Sequence, residues 1–96
     1  MIVRSVRLAV AARRDIGRLV EFLAERNEPA ATKAGELIID AVTSLSTLSE
    51  RGHPAAVQGW RDLFVRFGRG GYIIRYRVVD DKTVFVTRIF HNLERR

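Results

Sequence analysis

The stretch RDLFVRFGRGGYIIRYRVVDDKTVFVTRIFH, residues 61–91, decides the fold of this chain. Its apolar and aromatic residues alternate with polar ones, as they do in strands that place one face on a core. Three β-strands are predicted, at 61–67, 71–79 and 83–91. The first connection is rich in glycine and the second is Asp80-Asp81-Lys82, and both are typical of hairpin turns. Because both connections are short, the three strands are predicted to form an antiparallel meander.

Two amphipathic helices are predicted before this meander, at about 12–26 and 30–49. The apolar residues of the second keep the helical period for four turns: Ala34, Leu37, Ile38, Ala41, Val42, Leu45 and Leu48. Asn27-Glu28-Pro29 separates the two helices, since Asn suits a helix end and Pro suits the first turn of a helix. Helices joined by so short a break are expected to form an antiparallel hairpin.

The whole chain forms one domain, residues 1–96, because 96 residues can build a single modest core. A short opening strand is predicted at 2–8, and a loop runs from Arg51 to Gly59. The element order is therefore β-α-α-β-β-β. The predicted fold class is α+β, with a helical hairpin packed on one small antiparallel sheet.

Composition excludes several classes of function. The chain has no cysteine, and its two histidines, His53 and His91, lie far apart, so we expect neither a metal site nor a cofactor. No apolar run approaches the roughly 18 residues that span a bilayer, which predicts a cytoplasmic protein without a membrane partner.

Positive charge is concentrated in the predicted strands. Residues 61–96 contain nine Arg or Lys against four acidic residues, and they hold +5 of the net charge of +6. Five arginines lie on neighbouring strands and could converge on a phosphate or a carboxylate partner: Arg61, Arg66, Arg75, Arg77 and Arg88. The alternative is that these arginines are solvated or paired with Asp62, Asp80 and Glu94.

Three further side chains allow two interpretations each. His91 at the end of the last strand could exchange protons, or it could be a structural residue that only makes hydrogen bonds. Trp60 and Tyr72 could stack on bases beside the arginines, or they could be buried under the helices. The sequence contains no carboxylate pair, catalytic triad or nucleotide-binding motif, so any catalysis would depend on Arg and His91.

Several segments together resemble the RelE/ParE superfamily of toxins from type II toxin–antitoxin systems, and the ParE branch more closely. The resemblance extends over nearly the whole length of the chain. The similar segments are Asp15-Ile16 with Leu19, Phe22 and Leu23 in the first helix, the break at 27–31, the end of the second helix at Leu48 and Gly52, and the strand segments 60–65, 72–78 and 88–91.

This resemblance implies a small toxin that a cognate antitoxin neutralises with an amphipathic, acidic C-terminal segment. ParE-like toxins poison DNA gyrase by binding it. RelE-like toxins are ribosome-dependent endoribonucleases that cleave mRNA.

The residues favour the gyrase poison, in which no catalytic residue is expected. Cleavage of RNA needs both a base and an acid for the leaving group, and no Tyr follows Tyr76 to assist His91. The residues predicted to bind the target or the antitoxin are Arg61, Arg66, Arg75, Arg77, Arg88, His91, Arg95 and Arg96. If the chain is instead a ribonuclease, Arg61, Arg75, Arg77 and Arg88 hold the phosphate and His91 moves a proton. A non-toxic basic binding module on the same fold is the third possibility.

Overall fold

The computed structural model describes residues 2–94. Its elements in chain order are β1 (Ser5–Leu8), α1 (Val10–Ala24), α2 (Glu28–Ser44), β2 (His53–Pro54), β3 (Arg61–Phe67), β4 (Gly70–Val78) and β5 (Thr83–His91). The predicted α+β architecture is confirmed. The short strand β2 lies in the segment that was predicted to be a loop.

Both helices begin two residues before their predicted starts, and α2 ends five residues before its predicted end. Asn27 caps α2, because its side-chain oxygen accepts a hydrogen bond from the backbone N–H of Ala30 at 3.0 Å. At the other end, the Ser44 hydroxyl donates to the carbonyl of Ala41 at 2.6 Å. Such a bond competes with the helical ladder, and from Leu45 the backbone continues in tighter turns.

The sheet has the strand order β1-β5-β4-β3-β2. The meander of β3, β4 and β5 is antiparallel, with Ile74 of β4 between Leu63 of β3 and Ile89 of β5. The first strand, β1, instead pairs parallel with the last strand, β5. The sheet is therefore mixed, whereas an antiparallel sheet was predicted. Only Ala9 separates β1 from α1, so the chain passes directly from this edge strand to the helical layer.

The two faces of the sheet have different environments. The helices pack on one face, which we call the inner face, and its residues form the core with Ile38 of α2 and Leu45, the residue that follows α2. The core residues of this face are Leu63, Tyr72, Ile74, Tyr76, Val84, Val86 and Ile89. Each fully buried Ile or Leu contributes about 2 kcal/mol to folding. The opposite, outer face is not covered by a helix in the part of the chain that the structure describes.

The buried hydroxyl of Tyr76 connects the sheet to the segment after α2. It donates a hydrogen bond to the carbonyl of Ser49 at 2.8 Å and accepts one from the N–H of Gly52 at 2.9 Å. Both backbone groups are thereby satisfied away from water. Across residues 2–94, neither helix combines the length and apolarity needed to cross a membrane.

Candidate partner-binding surfaces

The outer face brings together four of the five arginines predicted on the strands. Arg75 and Arg77 alternate with core residues along β4 and therefore point to the outer side. Arg88 lies directly opposite Arg75 on β5, and Arg66 of β3 lies opposite Gly71. The sequence thus predicts a cationic outer face correctly for Arg66, Arg75, Arg77 and Arg88.

Some of these arginines already have partners within the chain. The guanidinium of Arg75 donates two hydrogen bonds to the carboxylate of Asp62, at 2.9 and 3.0 Å. These bonds raise the pKa of Arg75 and fix its guanidinium beside Asp62. Arg77 lies over the ring of Trp60, with its Cζ 5.4 Å from the ring centroid. For Arg66, which is exposed, residues 2–94 supply no ion pair.

An apolar strip runs across the outer face between the arginines. It consists of Phe64 of β3, Ile73 of β4 and Phe90 of β5, which are direct neighbours in the strand register. Phe90 is only 6% exposed, and the guanidinium groups of Arg75 and Arg88 lie 5.5 and 5.0 Å from its ring centroid. Charge counting alone misses this strip, although the alternation of the strands places its three residues on one face.

Arg61 does not belong to this patch, and the prediction that it joins the other strand arginines is wrong. It stands opposite the buried Tyr76, on the inner side of the sheet. One of its guanidinium nitrogens donates to the carbonyl of Gly52 at 2.6 Å and to that of Glu50 at 3.3 Å. Arg61 therefore secures the segment between α2 and β2 and is not aimed at an external partner.

The buried carboxylate of Asp15 organises the other side of β5. Since β1 ends at Leu8, opposite Val86, residues 2–94 place no strand beside the second half of β5 on that side. Asp15 of α1 lies against this free edge and accepts the backbone N–H of Ile89 at 2.8 Å. Arg88 adds two hydrogen bonds to the same carboxylate, at 2.7 and 3.1 Å, and Arg18 adds one at 3.1 Å.

Asp15 is only 4% exposed, so its charge depends on these donors. Burial, the largest influence, would raise its pKa, but the hydrogen bonds from Arg88, the Ile89 backbone and Arg18 outweigh it. The pKa of Asp15 therefore lies below its ordinary value of 3.8. In the sequence, Asp15 has only the signature of an acidic residue near a helix start, and no local signal reveals its partners 73 and 74 positions away.

His91 lies on the inner side of the sheet, beside Tyr72, to which its ring is nearly perpendicular at a centroid distance of 5.7 Å. Its Nδ1 accepts the backbone N–H of Leu93 at 3.2 Å, which leaves Nε2 to carry the proton of the neutral ring. Tyr72 is buried, which agrees with the interpretation that places it under the helices. Trp60 is partly exposed and lies against Arg77.

An apolar groove of about 760 Å³ opens beside His91, between α1 and the turn that joins β3 to β4. Two of its side chains are well exposed, Phe22 at 57% and Leu93 at 82%. Arg18, Arg69 and Glu94 supply its charges. The remaining lining residues are Leu19, Leu23, Phe67, Gly68, Gly70, Tyr72, His91 and Asn92. Phe22 and Leu93 are natural contacts for an apolar partner.

The predicted site residues are therefore divided between two surfaces. The arginines of the outer face and His91 lie on opposite sides of a strand layer, and Arg61 is used inside the molecule. Arg95 and Arg96 lie outside the described residues. This arrangement offers an outer face for an extended or acidic partner and a groove for an apolar segment. It does not place His91 with Arg75 and Arg77 around one phosphate.

The chain is similar to known toxins along nearly its whole length. The family model described as "ParE toxin of type II toxin-antitoxin system, parDE" matches residues 6–95. Toxin RelE1 of Caulobacter vibrioides is 39% identical over 92 residues, which cover 96% of this chain and 97% of that toxin. Toxin RelE3 of the same organism is 41% identical over 93 residues, which cover 97% of this chain and 99% of that toxin.

Two solved structures share the fold. A chain of the chromosomal ParDE system from P. aeruginosa has a TM-score of 0.81 at 23% identity, covering 95% of this chain and 98% of that one. A chain of the RelBE2 toxin–antitoxin complex from Mycobacterium tuberculosis has a TM-score of 0.68 at 24% identity, covering 95% of this chain and all of that one.

Proposed function

Because this chain belongs to the ParE toxin family of type II toxin–antitoxin systems, we propose that it poisons DNA gyrase by binding and that a cognate antitoxin neutralises it. The observation that supports a binding mode is the separation of His91 from the outer-face arginines. General acid–base chemistry needs each proton-transferring group within about 3 Å of the atom it serves. Arg75 and Arg77 stand on the opposite side of the sheet from His91.

The remaining cations also suit binding better than catalysis. Arg75 and Arg88 are each held by a carboxylate, Asp62 and Asp15 respectively. A paired guanidinium can still donate its remaining N–H groups to an acidic partner. However, the carboxylate beside it offsets part of the positive charge that would stabilise a transition state. Arg66 and Arg77 remain exposed, and with the apolar strip they form a surface for a protein partner.

RNA cleavage on the ribosome is the second candidate, because both curated relatives carry RelE names. In that case His91, whose ring reaches the groove, would move the proton. The two functions are separated by assaying the purified chain with DNA gyrase and with ribosomes translating mRNA.

We expect the chain to inhibit supercoiling when it is about equimolar with gyrase, and to accumulate cleaved DNA. His91→Gln should change this inhibition by less than about threefold, because a binding mode needs no proton transfer. Ribosome-dependent cleavage of mRNA that disappears in His91→Gln, with gyrase unaffected, would overturn the proposal in favour of the ribonuclease.

The groove beside His91 supports the antitoxin half of the proposal. An amphipathic segment could cover Phe22 and Leu93 with its apolar side. Acidic residues on that segment would approach Arg18 and Arg69 at the rim, where they also offset the net charge of +6. A segment that folds on binding would thereby remove the largest exposed apolar side chains of this surface from water.

Phe22→Glu should weaken antitoxin binding by about 30-fold or more, since a central aromatic anchor typically contributes at least about 2 kcal/mol. Val10→Glu is the matched control, because Val10 is an exposed apolar residue of the same helix that does not line the groove. Titration calorimetry with the antitoxin measures both variants. Equal affinities for the two would exclude the groove as the antitoxin site.

A further inference from the structure

The parallel pairing of β1 adds another arginine to the outer face. Arg7 of β1 lies opposite Phe85 of β5, and Phe85 lies opposite Arg77 of β4 on its other side. The neighbours of Arg7 in the strand, Val6 and Leu8, pack against the core, so alternation directs Arg7 to the outer side, where it is exposed. Arg7, Phe85 and Arg77 therefore form one row across three strands, which we call the β1 row.

The positive charge of the β1 row is not neutralised within residues 2–94. Neither Arg7 nor Arg77 forms an ion pair there, and both are exposed. Asp62, the acidic residue on the neighbouring row of the outer face, is already held by Arg75. Two like charges without a counter-charge repel each other, so a partner that brings an acidic group to each of them is favoured.

The spacing of the β1 row defines the chemistry of such a partner. Arg7 and Arg77 are two strands apart, which is about 10 Å, because neighbouring strands lie roughly 4.8 Å apart. Phe85 between them is partly exposed and offers an apolar contact. Each guanidinium can donate two parallel hydrogen bonds to one carboxylate. The row therefore fits a protein segment that carries two acidic side chains about 10 Å apart with an apolar side chain between them.

A nucleic acid fits this face less well than an acidic protein segment. Single strands bind by stacking their bases on exposed aromatic rings. Here Arg77 lies over the ring of Trp60, and Phe90 is only 6% exposed beside two guanidinium groups. The carboxylate of Asp62, which is 24% exposed, would also repel a phosphate backbone that crosses the face.

We propose that Arg7 and Arg77 bind two acidic side chains of the toxin's protein target, with Phe85 against an apolar side chain between them. This rests on the proposed function, which uses the outer face for the target and the groove for the antitoxin. Arg7 is thereby a target-contact residue that the first strand contributes. The charge of residues 61–96 could not reveal it, because Arg7 reaches this face only through the pairing of β1 with β5.

The test compares Arg7→Gln with Arg14→Gln, which removes the same charge from an exposed position of α1. Arg7→Gln should weaken the inhibition of DNA gyrase about tenfold, because a charge-assisted hydrogen bond to the target is lost. Arg7→Lys keeps the charge without the planar fork and should lose less than about threefold. Arg14→Gln should inhibit as the unmodified protein does. All three variants should melt within about 2 °C of the unmodified protein, since none of them breaks an ion pair of residues 2–94.

Two further titrations identify the partner of the β1 row. Arg7→Gln should bind the antitoxin as tightly as the unmodified protein does, because Arg7 does not line the groove. It should lose no more affinity for a single-stranded oligonucleotide than Arg14→Gln loses. A specific loss of antitoxin affinity would assign the row to the antitoxin, and a specific loss of oligonucleotide affinity would assign it to nucleic acid. Either result overturns the proposal.

Growth arrest separates this proposal from the gyrase proposal, because it does not depend on which target is bound. Expressed to equal levels without antitoxin, Arg7→Gln should slow growth less than the unmodified protein and Arg14→Gln do. If the unmodified protein arrests growth but leaves gyrase unaffected, the gyrase proposal fails, and the growth of cells with Arg7→Gln alone decides the role of the β1 row. If Arg7→Gln arrests growth and inhibits gyrase as strongly as Arg14→Gln, the role of the row is excluded and the gyrase proposal stands.

Discussion

Asp15→Ala is expected to lower the free energy of unfolding by about 3 kcal/mol and the melting temperature by roughly 15–20 °C. The substitution removes the acceptor of four hydrogen bonds and leaves the backbone N–H of Ile89 without its partner at the free edge of β5. Because Arg88 and Arg18 are about half exposed, water can solvate them. We therefore expect a loss of unfolding free energy at the lower end of the range that is usual when one partner of a buried ion pair is removed.

Thermal unfolding followed by circular dichroism measures this loss. Asp40→Ala is the control, because Asp40 is an exposed acidic residue on α2 and its removal should change stability by no more than about 0.5 kcal/mol. If Asp15→Ala melted within 2 °C of the parent protein, Asp15 would not be the residue that holds β5 to α1.

The contribution of Asp15 should also depend on pH. Its pKa is lowered in the folded chain, so near pH 3.8 the unfolded chain binds the proton more readily than the folded one. The stabilisation is complete above 3.8 and is lost as the pH falls through the folded pKa. The difference in unfolding free energy between the parent and Asp15→Ala, measured by denaturant titration, should therefore shrink as the pH falls below 3.8, and a constant difference down to pH 2 would contradict this origin.

Gly71→Ala is expected to destabilise the protein by about 2–3 kcal/mol, which lowers the melting temperature by roughly 10–20 °C. A methyl group on Gly71 would collide with the carbonyl oxygen of Val65 in the neighbouring strand and would lie 2.8 Å from the Phe64 ring. The carbonyl belongs to a paired strand, so relief requires a shift of the backbone. The ring of Phe64 must also leave its place on the outer face.

Gly17→Ala provides the opposite result with the same chemical change. Gly17 lies in the middle of α1, and a methyl group there meets no atom within 4 Å. Alanine is the better helix former, so this variant should gain about 1 kcal/mol and melt about 5 °C higher. A loss in both glycine variants would mean that the collision at Gly71 is not the cause.

Periodicity predicts the parts of the fold that depend on neighbouring residues. The limits of β3 and β5 agree with the predicted strands, because alternation and turn residues define them locally. The turn between β3 and β4 also follows from sequence, since Gly68 takes the positive φ of 60° that a two-residue hairpin requires. Alternation also separates Arg61 from Arg66, so the wrong placement of Arg61 was avoidable.

Contacts between distant residues could not be predicted in this way. Alternation shows that β1 has a buried face, but it does not show which strand β1 joins, and the parallel pairing with β5 came only from the structure. The same holds for Asp15, Arg18 and Glu94, whose charges read as separate surface residues along the chain. They become one network because α1 lies against the free edge of β5.

The pairing of the first strand with the last has a consequence for the synthesis of this toxin. Ser5 lies beside Thr83 and Leu8 beside Val86, so the sheet cannot be completed until the residues of β5 have left the ribosome. Contacts between residues so far apart in sequence form late, because the intervening chain must first lose conformational entropy as its ends come together. A chain that ends before β5 therefore lacks both the finished outer face and the groove, and it should not be toxic.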